Sequence, residues 1–132
     1  MDTVKLSFFS IVEALNKKSF GEYDLVVGIA YGGIIPAALV SKKLNLPLFI
    51  VNASYRGEDN KPIYSKPVVA EVPKLNGKRI LLVDDVSRTG ATLETVKKKL
   101  KGNEVTTFVF NGKADISLFN FDRCISWPWG NL

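Results

Sequence analysis

The sequence predicts an α/β fold, a mostly parallel sheet flanked by helices. Two observations carry that prediction. Apolar runs of strand length at 24–30, 47–51, 79–84 and 104–110 alternate with stretches of helical periodicity at 7–18, 35–44 and 91–100. The best of these strand runs, Arg79-Ile80-Leu81-Leu82-Val83, is apolar at every interior position rather than at alternate ones. That pattern belongs to a sheet covered on both faces. A length of 132 residues suits one domain, 1–132, able to bury a core without disulfides or a structural metal.

The elements follow in order. Phe8, Phe9, Ile11, Val12 and Leu15 recur at helical spacing and end in Asn16-Lys17-Lys18, which gives a first helix over 7–18. Asp24 to Ala30 reads as a buried strand. Gly32-Gly33 breaks it, and a second helix begins near Ile35 with Pro36 tolerated in its first turn. Pro47 to Val51 is the next strand, and the polar stretch 52–66 a long loop. Val68 to Val72 suggests a short strand and Asn76-Gly77 a turn. Arg79 to Asp84 is the strongest strand, 91–100 a helix with a basic outer face, and Glu104 to Phe110 another strand. The last twenty or so residues are irregular, with a strand pair expected around Leu118 and Ile125.

Composition removes several chemistries. The chain contains no histidine, so Ser-His-Asp and Cys-His catalysis and histidine metal sites are out. Cys124 is the single cysteine, which implies no disulfide and a reducing, cytoplasmic setting. No apolar stretch approaches the roughly 20 residues that span a bilayer, so no membrane partner is expected. The first eighteen residues are too charged and too periodic for a signal peptide. A net charge of +5 suits a polyanion, whether a phosphorylated small molecule or nucleic acid.

In a parallel sheet, ligands bind in the loops beyond the strand C-termini. Three loops fall there: 30–34, 52–66 and 84–92. The last is the most informative. Asp84 and Asp85 emerge where a buried strand ends, and two adjacent carboxylates need hydroxyls, cations or a metal to offset their repulsion. Small residues then lead into a helix, so that several backbone N–H groups converge at its positive end as a phosphate cradle. Carboxylates for ribose hydroxyls thus stand beside an amide nest for a phosphate.

The stretch Val83-Asp84-Asp85-Val86-Ser87-Arg88-Thr89-Gly90-Ala91-Thr92 resembles the phosphoribosyl-pyrophosphate (PRPP) motif of type I phosphoribosyltransferases. A response-regulator receiver also places paired acids after such a strand, but needs that strand near the N-terminus and further Asp and Lys positions downstream; only 47 residues follow Asp85. The resemblance implies a type I phosphoribosyltransferase fold with a minimal C-terminal hood, closest in kind to xanthine-guanine (6-oxopurine) enzymes. It places the 5′-phosphate on Ser87, Arg88, Thr89, Gly90, Ala91 and Thr92. Asp84 and Asp85 would hold the ribose hydroxyls and, through those hydroxyls or water, Mg²⁺. Ala30-Tyr31-Gly32-Gly33 would be the pyrophosphate loop, in which many members have a cis peptide before the glycine pair. Ser54 and Tyr55 resemble the Ser-Tyr pair of the catalytic loop that closes over PRPP. Ile125-Ser126-Trp127-Pro128-Trp129 resembles the C-terminal segment of the xanthine-guanine enzymes, with Ile125 against the base and Lys113 the candidate for reading its oxo group. Taken alone, the last three segments also read as a Gly-Gly turn, a solvated loop and tryptophans packing a terminus.

The chain departs from the 6-oxopurine pattern at three places. Arg88 stands where those enzymes usually have an Asp that contacts N7, and a guanidinium cannot accept a proton. Cys124 occupies the usual stacking position, and Lys113 falls slightly late. The resemblance implies transfer of phosphoribose from PRPP to a nucleobase, as in purine salvage, by a homodimer. The alternative is a PRPP-sensing regulator that binds RNA or DNA, for which the Lys97-Lys98-Lys99-Lys101 run is compatible but is more often a solvated face.

Overall fold

A computed structural model describes residues 2–54, 68–70, 72 and 74–130. Eleven elements follow one another among them: β1 (Thr3–Lys5), α1 (Phe8–Lys17), β2 (Leu25–Ala30), α2 (Ile34–Leu44), β3 (Leu48–Ser54), β4 (Val68–Ala70), β5 (Arg79–Ser87), α3 (Ala91–Lys99), β6 (Glu104–Gly112), β7 (Ile116–Phe119) and β8 (Cys124–Ser126). Six strands form one sheet in the order β4-β3-β2-β5-β6-β7, with only β4 antiparallel to its neighbour. β1 and β8 pair with each other in parallel, outside that sheet.

The continuous apolar runs are explained by burial on both faces. Along β2, Leu25, Val27 and Ile29 face one cluster, together with Ile80 and Leu82 of β5 and Leu93 and Val96 of α3. Val26, Leu81, Val83, Phe108 and Phe110 face the other, against Ile11 and Leu15 of α1 and Ala37 and Val40 of α2. β2, β5 and β6 therefore supply side chains to both layers, and a polar residue at an interior position would leave an unpaired group on one of them. Trp127 and Trp129 stack on each other at 5.4 Å and lean on Phe110, fastening the end of the chain to the second cluster.

The order of the strands positions the site. From β2 the chain crosses through α2 to β3 on one side; from β5 it crosses through α3 to β6 on the other. Parallel crossovers are right-handed, so leaving in opposite directions puts α2 and α3 on opposite faces. A crevice opens between the C-terminal ends of β2 and β5, where the strand order reverses.

The structure departs from the sequence expectation in four places. β5 runs through the acid pair to Ser87 instead of ending at Asp84. It loses β2 after Val83 but remains paired with β6 as far as Ser87↔Gly112. β3 likewise extends to Ser54. β1 carries too little periodicity in three residues to be seen. The strands around Leu118 and Ile125 do not pair together: β7 joins β6, and β8 joins β1. β7 is parallel to β6 although only residues 113–115 separate them. That tight return is held by reciprocal bonds, Thr107 N donating to Asp115 Oδ2 and Asp115 N to Thr107 Oγ1, each 2.9 Å. No described helix is long and apolar enough to cross a membrane.

Candidate functional site

The C-terminal ends of β2, β5 and β6 carry the site. At the end of β2, the Ala30–Tyr31 peptide is cis. The chain then folds back, with Gly33 N donating to Ile29 O at 2.7 Å and Ile34 N to Tyr31 O at 3.1 Å. Tyr31 is 84% exposed, its ring directed away from the core. Gly32 lies against the next strand so closely that a Cβ there would stand 2.6 Å from the carboxylate of Asp85. Any side chain at 32 would push the loop off the acid pair.

Asp84 and Asp85 are half-buried on the part of β5 that has already left β2. Their side chains turn back on their own strand: Asp85 N donates to Asp84 Oδ1 at 2.8 Å and Val86 N to Asp85 Oδ1 at 2.7 Å. Burial, and then the charge of Asp85, push the Asp84 carboxyl up to about 8. A carboxyl in that condition favours a neighbour that donates protons or brings positive charge. Among the described residues no three His, Cys, Asp or Glu side chains cluster as a metal cage. Two adjacent carboxylates therefore fit a hard cation that takes most of its ligands from substrate oxygens and water, which is the habit of Mg²⁺.

Beyond the acids the chain turns into α3. Gly90 caps that helix in the left-handed region at φ 85° without any side-chain capping bond, so the first amides of the helix are not covered by a cap side chain. Thr89 Oγ1 accepts from Ala91 N at 3.2 Å. Ser87, Arg88, Thr89, Gly90, Ala91 and Thr92 all line a cavity of about 280 Å³ that Asp84 also touches. An anion placed there would meet backbone N–H groups and the positive end of α3.

A larger cleft of about 650 Å³ adjoins this cavity and shares Val86, Ser87 and Arg88 with it. Its far wall is the segment from Phe121 to Ile125. Buried Asn111 holds that wall: its Nδ2 donates to Phe121 O at 3.0 Å, and its Oδ1 accepts from Phe121 N at 2.7 Å. Gly112, at φ 119°, lets β6 press on β5 where a Cβ would collide with Ser87 O.

The structure thus brings together Asp84, Asp85, Gly32, the 87–92 loop and Ile125. Ala30 and Gly33 flank the same crevice. Lys113 is exposed and is not among the residues lining the cleft; its backbone N donates to Ser87 O at 2.8 Å. Ser54 ends β3, and its side chain, like all of Tyr55, lies outside the described residues. Sequence reasoning missed Asn111, Phe121, Asp122 and Arg123. An aromatic was sought directly before Ile125, whereas Phe121, 39% exposed and stacked on Phe119 at 5.7 Å, sits four residues before it. The signal was present in Phe119-Asn120-Phe121 but needed the fold to be aimed.

Comparisons with known proteins agree with this geometry. A family model described as a phosphoribosyl transferase domain matches residues 6–110. The orotate phosphoribosyltransferase of Saccharolobus solfataricus is 30% identical over 111 residues, covering 83% of this chain and 49% of the relative. The xanthine-guanine phosphoribosyltransferase of Cereibacter sphaeroides is 36% identical over 83 residues, 58% of this chain and 47% of the relative. The chain spans about half the length of both relatives. Among solved structures, a purine phosphoribosyltransferase from Pyrococcus horikoshii superposes with a TM-score of 0.77 at 28% identity, covering 98% of this chain and 94% of that one.

Proposed function

The chain belongs to the phosphoribosyl transferase domain family, and from that premise we propose that it transfers phosphoribose from PRPP to a nucleobase, releasing pyrophosphate and a nucleoside 5′-monophosphate. The observation that carries the reading is the row of sites along one sheet edge. A glycine loop packs on an acid pair, the acid pair borders an open helix N-terminus, and that cradle opens into a cleft large enough for a base.

Each part has a task in the reaction. The 87–92 loop holds the 5′-phosphate, and Asp84 and Asp85 accept hydrogen bonds from the ribose hydroxyls. The loop at Ala30-Tyr31-Gly32-Gly33 receives the pyrophosphate beside them. Asp84 and Asp85 would hold Mg²⁺ together with PRPP, and the cation would supply charge neutralisation for the departing pyrophosphate. The C1′–O bond to pyrophosphate breaks and its electron pair leaves with the diphosphate. A ring nitrogen of the base forms the new bond to C1′, and its proton passes to solvent. Side chains position and polarise, and no covalent enzyme intermediate is needed, which suits a chain without histidine. Phe121 offers a face for the base and Ile125 closes the cleft behind it. Ser54 and Tyr55 belong to the proposal as the closing loop.

The acceptor is a purine or orotate. A 6-oxopurine is supported by the Cereibacter relative, a purine more broadly by the Pyrococcus structure, and orotate by the Saccharolobus relative. A homodimer in the cytoplasm completes the proposal. The test is pyrophosphate release from PRPP and Mg²⁺ with guanine, xanthine, hypoxanthine, adenine, uracil and orotate supplied singly. Release with at least one base, lost in Asp84→Asn and Asp85→Asn, supports the transferase. PRPP binding without release for any base refutes it and returns attention to a sensor that binds nucleic acid.

A further inference from the structure

The acceptor cleft is unusual in what its polar side chains can offer. Asn111 has both ends of its amide engaged with the main chain of Phe121. Ser87 is buried, and Cys124 is a weak hydrogen-bonding group. The polar side chains left to meet a base are Arg88, Asp122 and Arg123, two guanidiniums against one carboxylate. The three ion pairs among the described residues lie elsewhere, Lys17 with Glu13 and Arg79 with Glu22 and Asp24. The nearest polar partner of the Arg88 guanidinium is Cys124 Sγ, 3.9 Å from its Nη2. Both arginines are exposed at the cleft, and among the described residues neither forms an ion pair, although Asp122 shares the cleft with them.

A guanidinium donates and never accepts, keeps its charge at every working pH, and matches two parallel oxygens. A base that turns an exocyclic amino group toward Arg88 sets donor against donor. A base that turns an anionic oxygen toward it gains a charge-assisted bond in a partly enclosed cleft. We infer that Arg88 and Arg123 are specificity-determining residues that select an acceptor carrying an anionic oxygen, either a ring carboxylate or an ionised oxo group, over a neutral base. The inference rests on the transferase reading and narrows its acceptor.

Matched nucleotides test the inference without requiring turnover. Binding of orotidine and uridine 5′-monophosphates, which differ by the carboxylate, and of xanthosine and inosine 5′-monophosphates, which differ by the 2-oxo group, is measured by calorimetry. The wild type, Arg88→Gln, Arg88→Lys and Arg123→Gln are compared. Because Arg88 also lines the phosphate cradle, the readout is the ratio within each pair, in which contacts to the shared phosphate cancel. The expected result is a preference of roughly tenfold or more for the anionic member of at least one pair. It shrinks severalfold in Arg88→Gln and Arg123→Gln and is partly kept in Arg88→Lys. A preference confined to the orotidine pair assigns the carboxylate, and one confined to the xanthosine pair assigns the ionised oxo group. Ratios near one, or ratios unchanged in both Gln variants, overturn the inference; pyrophosphate release with a neutral base then leaves the transferase standing. The converse, a marked preference with no release for any base, supports the selectivity and removes the transferase.

Discussion

Replacing Asp84 by Asn should make the ligand-free protein more stable while destroying its function. The Asp84 carboxyl is pushed up to about 8 by burial and by the charge of Asp85. A buried acid with a raised pKa binds its proton more tightly in the folded than in the unfolded chain. Below the unfolded value, near 4, both states are protonated and nothing is lost. Between about 4 and about 8 the unfolded chain gives up the proton first, so stability falls as pH rises, and the loss is complete above about 8. About four pH units at ~1.4 kcal/mol each set a ceiling of ~6 kcal/mol. The residue is only half-buried by surface area, so solvent reduces the penalty to roughly 2–3 kcal/mol. Asn keeps the bond from Asp85 N, since its Oδ1 accepts as the carboxylate does. Urea unfolding of magnesium-free wild type and Asp84→Asn should therefore give equal midpoints near pH 4 and a more stable variant at pH 8.5. A variant equal to or weaker than wild type at pH 8.5 would refute the account of a charge held at a loss for the sake of a ligand.

Other expectations follow from the same geometry. Gly32→Ala forces a methyl group into the Asp85 carboxylate; the KM for PRPP should rise tenfold or so, with ~1–3 kcal/mol lost in thermal unfolding. Asn111→Ala removes both bonds to the Phe121 main chain, which should cost about 1–3 kcal/mol and raise the KM of the acceptor more than that of PRPP; equal effects on both would count against a wall held by Asn111. At the opposite end of the sheet, hydrogen bonds from Arg79 hold Asp24 down to about 2. A depressed acid stabilises the fold above its unfolded value and loses that contribution as pH falls toward about 2. The urea midpoints of wild type and Asp24→Asn should therefore differ at pH 5 and converge by pH 2. Chelation with EDTA should abolish pyrophosphate release and restoration of Mg²⁺ should recover it; full activity in EDTA would remove the cation from the reaction.

The half of the site proposed for PRPP could be assembled from the sequence because it is local. Asp84, Asp85 and the 87–92 loop are adjacent in sequence, and a strand running into a helix fixes their relation wherever it sits. The acceptor half is assembled from β5, β6 and the segment before β8, with Ser87 and Arg123 thirty-six positions apart. No periodicity links such residues. Lys113 shows the difficulty: spacing puts it near the base, but the positive φ of Gly112 turns the chain so that its backbone serves Ser87 instead. Asn111 lies just past the expected end of the 104–110 strand, and nothing in its spacing marks the amide that carries the cleft wall. The sheet was readable from its doubly buried runs, whereas β1 and the tight return to β7 were not, because both depend on partners remote in sequence or on side-chain bonds.

The pairing of β1 with β8 has a consequence for the order in which the molecule comes together. Val4 lies opposite Ile125, so β1 waits for a strand made more than a hundred residues later. During synthesis the N-terminal portions emerge and collapse earliest, and contacts between distant parts of a chain form slowly. The cradle and the acid pair depend on β2, β5, α3 and β6, all complete once Gly112 has emerged, while the wall at Ile125 gains its neighbour only when β1 and β8 meet. If the site works as proposed, a nascent or partly folded chain would grasp the sugar phosphate before it could choose a base.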